Sequence, residues 1–374
     1  PLNLQELLPL AIANNAGFKA NKLQVQQSKT LINSAFSFNK THVYYEFDEN
    51  NLAFNNEPLR VFGFQQDFKF PTVYFSEKKV NKANYDVVSS AYGIQKKELE
   101  RKVTSGYYEY QIAKEKEDVY QKLDSLYSNF AHRAARRFEL GETNYLEKIT
   151  AASKQKQILL KYKEAQEELT LAYRNLAKIV QSKDSLILKN EQVLKASLNI
   201  LHIENSAEIA FYQNKISLAQ KQRNLERQEL LPDININYFQ GTNAGLNSNL
   251  YGYQLGLKIP ILFGGKSSRI KSASIAMKIA EEEAKDYKIR LKSKYDALNA
   301  LKRQLSNSLD YYEQEGAALS EELLKTANGS FINGEIDFYQ FILSLESAYD
   351  IKLNYLNKLN QYNNTVIEIN YLTL

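Results

Sequence analysis

Hydrophobic residues along this chain follow two different periods, which divide it into long helices and short hairpins. Spacings of three and four residues predict helices over residues 4–37, 76–140, 143–180, 205–231, 265–332 and 335–372. Between them, residues 41–71 and 232–260 alternate apolar with polar positions, and each segment predicts a β-hairpin. The pattern therefore predicts a mainly α chain that contains four strands.

The predicted elements occur in the same order twice. Phe138-x-x-Gly141-Glu142-x-x-Tyr145 recurs as Phe331-x-x-Gly334-Glu335-x-x-Phe338, and Gly63-Phe64-Gln65 recurs as Gly252-Tyr253-Gln254. We interpret residues 1–180 and 205–374 as two copies of a helix, hairpin, long helix, helix unit, with residues 181–204 as the linker. In both copies a glycine ends the long helix, in the usual position for a left-handed C-cap.

The two hairpins have the alternation that is typical of strands in a membrane β-barrel, with one apolar and one polar face. The residues predicted to face lipid are Phe62, Phe64, Phe68, Phe70, Tyr251, Tyr253, Leu255 and Leu257. Four strands cannot close a barrel, and open strand edges in lipid leave backbone groups unpaired. Three copies would supply about twelve strands, an allowed even number, so we predict a homotrimer.

The predicted helices are too long to surround a globular core. The helix over residues 76–140 would measure roughly 97 Å, and the two shorter helices of its repeat would total roughly 108 Å. The long helix can therefore pack along a stacked pair, and we predict a long α-helical barrel that continues the β-barrel. The alternative is a soluble coiled-coil scaffold, which explains the helices but leaves both hairpins unexplained.

The amino-acid composition argues against several classes of function. The 374 residues have no cysteine, one methionine and three histidines, so we expect no metal site, no cofactor and no catalytic constellation. The net charge of +5 is spread over interleaved acidic and basic residues, which does not indicate a nucleic-acid partner. No apolar run is long enough for a transmembrane helix. No signal peptide precedes the first helix, as expected of a trimmed chain or of a domain excised from a larger protein.

Several segments resemble the TolC family of outer-membrane efflux proteins, and the resemblance covers essentially the whole chain. They are Arg137–Glu142 with Tyr173–Ala177, then Leu230–Ile234, then Pro260–Gly265. Residues 66–74, 124–130 and 141–148 look most like the heavy-metal branch of that family. The resemblance implies a passive exit duct in the outer membrane of a Gram-negative bacterium, with a periplasmic helical extension, a periplasmic adaptor and an inner-membrane pump of the resistance-nodulation-division type.

The resemblance also assigns roles to the two helix turns at residues 140–144 and 333–337, here called tip 1 and tip 2. It implies that they dock the adaptor through Leu140, Gly141, Glu142, Asn144, Asn333, Gly334, Glu335 and Asp337. Glu147, Gln340 and Leu343 are the candidate aperture positions. Gln340 and Leu343 stand where many members carry carboxylates, and Ile336 replaces a basic residue, so the family's closing contacts are not carried over. Organic compounds or secreted proteins are the alternative cargo, and a channel domain fused to its pump is the alternative context.

Overall fold

A computed structural model describes residues 1–52, 58–199, 206–242, 250–261 and 263–372. The chain forms two compact units, and each contains segments from both halves of the sequence. The helical unit consists of Pro1–Ala20, Ile94–His202 and Ile289–Leu374, and the sheet unit consists of Asn21–Gly93 and Ile203–Lys288. Residues 181–199 of the predicted linker lie in the helical unit, and its residues 200–204 lie outside the described residues.

The described elements follow the predicted order of helices and hairpins. They are α1 (Leu4–Asn14), α2 (Ala16–Thr30), a 3₁₀ helix (Leu31–Phe36), β1 (His42–Leu52), β2 (Pro58–Phe68), α3 (Pro71–Glu139), α4 (Tyr145–Val180), α5 (Ala207–Gln228), β3 (Asp233–Thr242), β4 (Leu250–Lys258), α6 (Gly264–Tyr311), a π-helical turn (Tyr312–Gly316), α7 (Ala317–Ile332) and α8 (Phe338–Asn370).

The helix predicted over residues 4–37, in which Pro9 and Gly17 predict a late start or a kink, is interrupted at Asn15. Asn15 has extended backbone angles, its Oδ1 accepts from the Phe18 backbone N–H at 2.9 Å, and its Nδ2 donates to the Ile179 carbonyl at 3.0 Å. Asparagine competes for backbone hydrogen bonds in this way and favours helix starts. Pro9 lies inside α1. The last turn, Leu31–Phe36, is 3₁₀ helix.

The predicted helix over residues 265–332 is also interrupted. Tyr312–Gly316 forms a π-helical turn between α6 and α7. The ring of Tyr312 stacks on Tyr355 of α8 with centroids 3.8 Å apart, and Gly316 packs closely against Ile351. A π-helix is rare and occurs mostly as a single-turn bulge inside an α-helix. The stacked tyrosines join this turn to α8.

The sheet unit contains one antiparallel sheet in the order β1-β2-β3-β4. The two hairpins join through β2 and β3, which pair from Arg60 opposite Thr242 to Phe68 opposite Ile234. Strands β1 and β4 are the edges, and in the described part of the chain each pairs with one strand only. No helix in the described ranges is both long and apolar enough to cross a membrane.

The core of the helical unit includes one face of α3, where apolar residues recur at spacings of three and four. Val119, Leu123 and Phe130 are buried on α3, and Leu126 is partly buried against the same cluster. They pack with Leu345, Leu356 and Leu359 of α8 and with Leu309 of α6. The residues that the helical period placed on one face therefore form one continuous core.

Residues 186–199 cross the helical unit as an extended strap rather than as a loose connection. The buried Asn363 of α8 accepts from the Ala196 backbone N–H at 2.8 Å and donates to the Leu194 carbonyl at 3.0 Å. Lys195 Nζ donates to Asp310 at 3.1 Å and to Glu313 at 2.9 Å, beside the π turn. Side chains satisfy the strap's backbone, as a segment without regular structure requires.

Candidate functional site

The two tips have the same backbone conformation. Gly141 has φ +76° and Gly334 has φ +74°, which confirms the predicted left-handed glycines. In tip 1 the backbone N–H of Glu142 donates to the Arg137 carbonyl at 2.8 Å, and in tip 2 that of Glu335 donates to the Ser330 carbonyl at 2.8 Å. These bonds, with those from the two glycines, form a Schellman motif in each tip. The duplicated glycine thus produces a duplicated turn.

Each tip continues into a capped helix. Asn144 Oδ1 accepts from the Glu147 backbone N–H at 2.9 Å, and Asp337 Oδ1 accepts from the Gln340 backbone N–H at 2.7 Å. Gln340 Oε1 accepts in return from the Asp337 N–H at 3.1 Å, which completes a capping box. The returning helices therefore begin at Tyr145 and Phe338, after the caps. The predicted starts at 143 and 335 fall within the turns.

Charged contacts distinguish the tips. In tip 1, Arg137 lies 3.3 Å from Glu147 and 3.9 Å from Glu142, and Thr143 donates a short hydrogen bond to Glu147. In tip 2, Glu335 accepts from Ser330 Oγ at 2.9 Å and from Asn333 at 3.4 Å, with no ion pair among the described contacts. Tip 1 is thus zwitterionic and tip 2 is acidic.

Both tips also expose large apolar side chains. They are Leu140, Tyr145, Leu146 and Ile149 around tip 1, and Ile332, Tyr339 and Leu343 around tip 2. Clustered exposed apolar side chains on a polar rim are typical of protein interaction sites. Of the candidate aperture positions, Glu147 bonds to Arg137, Gln340 completes the cap of α8, and only Leu343 is an exposed side chain without such a role.

An aromatic cluster lies directly beneath tip 2. The ring of Phe130 on α3 packs on Phe331, Phe338 and Phe341, with centroid distances of 5.2, 5.6 and 4.6 Å. Tip 1 has instead an edge-on pair, Phe138 and Tyr145, at 5.8 Å. Such ring pairs stabilise their packing beyond the area they bury.

Tyr127 of α3 is buried one helical turn from Phe130. Its hydroxyl has no hydrogen-bond partner among the described residues. Burial, with the nearby carboxylates of Glu346 and Asp350, raises the pKa of Tyr127 well above its usual range. Lys154 of α4 donates to Glu346 at 2.7 Å and so joins α4 to α8. The tyrosine therefore stays neutral, and the charge beside it is compensated.

The sheet has two chemically different faces. One face exposes the predicted lipid-facing residues Phe62, Phe64, Tyr251, Tyr253, Leu255 and Leu257 together with Val43, Tyr45 and Phe47. Tyr253 is 82% exposed. Phe68 is the last residue of β2, and Phe70 follows it outside the strand, so the predicted strand to residue 71 is too long. Exposed rings in such number would be costly in water.

The opposite face of the sheet is polar. Asp67 accepts from Asn235 Nδ2 and from Lys258 Nζ, both at 2.6 Å, across β2, β3 and β4. The three side chains therefore lie on the same face of the sheet, as the alternation of apolar and polar positions implies. They compensate one another's charge and hydrogen-bonding groups while remaining partly exposed.

Groups of three or more metal-ligating side chains do not occur in the described ranges. Sequence reasoning missed two polar anchors, Asn363 and Lys195, which hold the strap. The sequence around either residue does not reveal its role, because an asparagine or a lysine among polar residues predicts a solvent-exposed side chain. Only the packing of the strap against α8 and the π turn gives them partners.

The fold is similar to that of solved outer-membrane channels. The crystal structure of CusC matches with a TM-score of 0.81 and 15% identity, over 98% of this chain and 90% of that one. A membrane protein from Pseudomonas aeruginosa matches with a TM-score of 0.84 and 14% identity, over 98% and 92%. The CmeC outer-membrane channel of Campylobacter jejuni matches with a TM-score of 0.80 and 13% identity, over 98% and 84%. No protein-family profile and no curated protein matches the sequence.

Proposed function

We propose that this protein is a passive exit duct of the outer membrane that forms a homotrimer. The main support is the sheet: one face exposes a broad apolar surface, the other carries polar side chains, and within the described residues each edge strand pairs with one strand only. Lipid would cover the apolar face, and strands β4 and β1 of neighbouring copies would pair and remove the open edges. Three copies then give a barrel of about twelve strands.

The tips support a role in a tripartite efflux system. Each presents apolar side chains around a rigid Schellman turn, and a trimer would carry six such turns. We propose that Leu140, Gly141, Glu142, Asn144, Asn333, Gly334, Glu335 and Asp337 dock a periplasmic adaptor, which connects the duct to an inner-membrane pump of the resistance-nodulation-division type. Rigid turns reduce the entropy lost when a partner binds.

Heavy-metal cations are the cargo we propose, from the resemblance of residues 66–74, 124–130 and 141–148 to the heavy-metal branch. The likeness to CusC supports the fold of such a duct. A chain without cysteine offers few soft ligands, so the pump and adaptor would select the metal. Deleting the gene should raise sensitivity to metal salts, and the purified trimer should bind no metal tightly in calorimetry. Sensitivity to dyes alone would indicate organic cargo.

Neighbouring residues of β2 provide a direct test of the membrane orientation. Phe64 lies on the apolar face and Gln65 on the polar face, so we would compare Phe64→Lys with Gln65→Lys. A lysine facing lipid near the middle of the bilayer costs about 2–4 kcal/mol, whereas a lysine facing a lumen costs little. We expect Phe64→Lys to abolish insertion into liposomes and Gln65→Lys to insert as a trimer by native mass spectrometry.

Two results would contradict the proposal. One is a parent chain that stays monomeric and soluble without detergent, which favours the coiled-coil scaffold. The other is equal insertion of both lysine variants, which would mean that the two faces of the sheet do not meet different solvents.

A further inference from the structure

One row of paired residues crosses all four strands on the polar face of the sheet. Tyr44 of β1 lies opposite Gly63 of β2, Gly63 lies opposite Phe239 of β3, and Phe239 lies opposite Gly252 of β4. Aromatic residues and glycines therefore alternate along the row. Glycine weakens a strand unless another group needs the space above its backbone.

The aromatic rings occupy that space. A Cβ added to Gly63 would lie 2.5 Å from Cζ of Tyr44, and a Cβ added to Gly252 would lie 2.4 Å from Cζ of Phe239. Carbon atoms in favourable contact are about 3.5–4.0 Å apart, so neither position accepts a side chain while the ring stays in place. Gly63 is buried, although it lies on a sheet face that is otherwise partly exposed. The ring of Tyr44 thus covers it.

The hydroxyl of Tyr44 shows how that ring is oriented. It lies 3.3 Å from Oδ1 of Asn237, which belongs to β3, two strands away from β1. Neighbouring strands are about 4.8 Å apart, so the ring must extend along the sheet and across β2 to reach this partner. Tyr44 therefore lies flat on the sheet instead of standing away from it.

We propose that Gly63 and Gly252 leave the space in which the rings of Tyr44 and Phe239 lie flat against the lumen wall. The two glycines would in this way set the bore of the duct at this level. The inference rests on the proposed function, because this face lines a lumen only in a closed barrel. In a trimer the row supplies six large rings. Rings that pointed into the lumen would narrow the passage, whereas rings that lie parallel to the sheet form a smooth wall of aromatic faces.

Single-channel conductance in planar bilayers, recorded in potassium chloride, tests this role of the two glycines. Gly63→Val and Gly252→Val should each lower the conductance and exclude smaller neutral polyethylene glycols, because the added side chain lifts the ring into the lumen. Removing the lifted ring should restore both quantities, in Gly63→Val with Tyr44→Ala and in Gly252→Val with Phe239→Ala.

Gly256→Val is the matched control. Gly256 lies on the same face of β4, but among the described residues an added Cβ there would meet Asn235 alone, at an ordinary 3.7 Å. It introduces the same valine without lifting a ring, so its conductance should equal that of the parent. Equal losses in Gly256→Val and Gly252→Val would overturn the inference, since bulk alone would then explain them.

Two further outcomes would also overturn it. Conductance unchanged in both Gly63→Val and Gly252→Val trimers would mean that the rings do not enter the lumen when displaced. Where a valine variant fails to assemble, the conductance of Tyr44→Ala and Phe239→Ala tests the inference instead. Removing a ring that lies flat should barely increase the conductance. A large increase would show that the rings already protrude into the lumen and would overturn the inference. A parent that forms no channel contradicts the proposed function itself.

Discussion

The two tips share a backbone and a sequence motif but differ in what lies beneath them. Phe338, which follows tip 2, is 8% exposed, whereas Tyr145, at the same position of the repeat after tip 1, is 61% exposed. Phe338 packs on Phe130, and Tyr145 contacts only the edge of Phe138 among the ring pairs described. A duplicated motif therefore fixes the turn, and the neighbouring helices decide whether its aromatic residue belongs to the core or to a surface.

The largest expected difference between the tips concerns these two residues. Phe338→Ala should lower the free energy of unfolding by about 3–5 kcal/mol, because it opens a cavity beside Phe130. Tyr145→Ala should change it by no more than about 0.5 kcal/mol, as at an exposed surface position. Chemical denaturation of the detergent-solubilised protein, followed by circular dichroism, measures both. Similar losses in the two variants would show that the tips are supported alike.

The second prediction tests the feature the tips have in common. Gly141→Val and Gly334→Val should each strain a positive-φ turn by about 1–2 kcal/mol and crowd the docking surface. We expect loss of efflux with assembly retained in both. Gly329→Ala is the control, because Gly329 lies inside α7 with open space around it and alanine there should stabilise by up to about 1 kcal/mol. Normal efflux in Gly334→Val would remove tip 2 from the docking surface.

The contrast between the tips also shows what the sequence could predict. The repeat predicted both turns and their glycines, because a left-handed residue is a local requirement that glycine meets. It could not predict that Phe338 is buried and Tyr145 exposed, since that depends on Phe130, which is distant in sequence. The same limit applies to the strap, whose anchors Asn363 and Lys195 have no local pattern.

The sheet also separates what the sequence could predict from what it could not. Alternation predicted which residues of each strand share a face, because side chains on a strand point to opposite sides in turn. It did not predict which residues face one another across strands, so the packing of the Tyr44 ring over Gly63 was not foreseen. Alternation also did not locate the end of β2, because Phe70 continues the apolar pattern but lies outside the strand, where the chain turns into α3 at Pro71.

The third prediction compares the caps that begin α4 and α8. Replacing Asn144 or Asp337 with alanine should cost about 1 kcal/mol each, because a backbone N–H of the first turn loses its acceptor. Asp337→Ala should cost more, since it also removes a negative charge from the positive end of a helix and breaks the capping box with Gln340. Asp337→Asn keeps the hydrogen bond and should recover most of the loss in a thermal melt. A larger loss for Asn144→Ala would reverse the comparison.

The smallest expected effect concerns the charges that distinguish the tips. Arg137 is partly exposed, and its ion pairs with Glu142 and Glu147 should contribute only about 0.2–1 kcal/mol to stability. Arg137→Gln should therefore leave assembly unchanged but weaken adaptor binding in low salt, where exposed charges are least screened. Glu335→Gln in tip 2 is the matched variant, because among the described contacts Glu335 bonds to Ser330 and Asn333 and not to a cation. Titrating the purified adaptor at several salt concentrations measures both, and we expect the salt dependence to change more with Arg137→Gln. An equal change in the two variants would mean that the adaptor does not distinguish the zwitterionic tip from the acidic one.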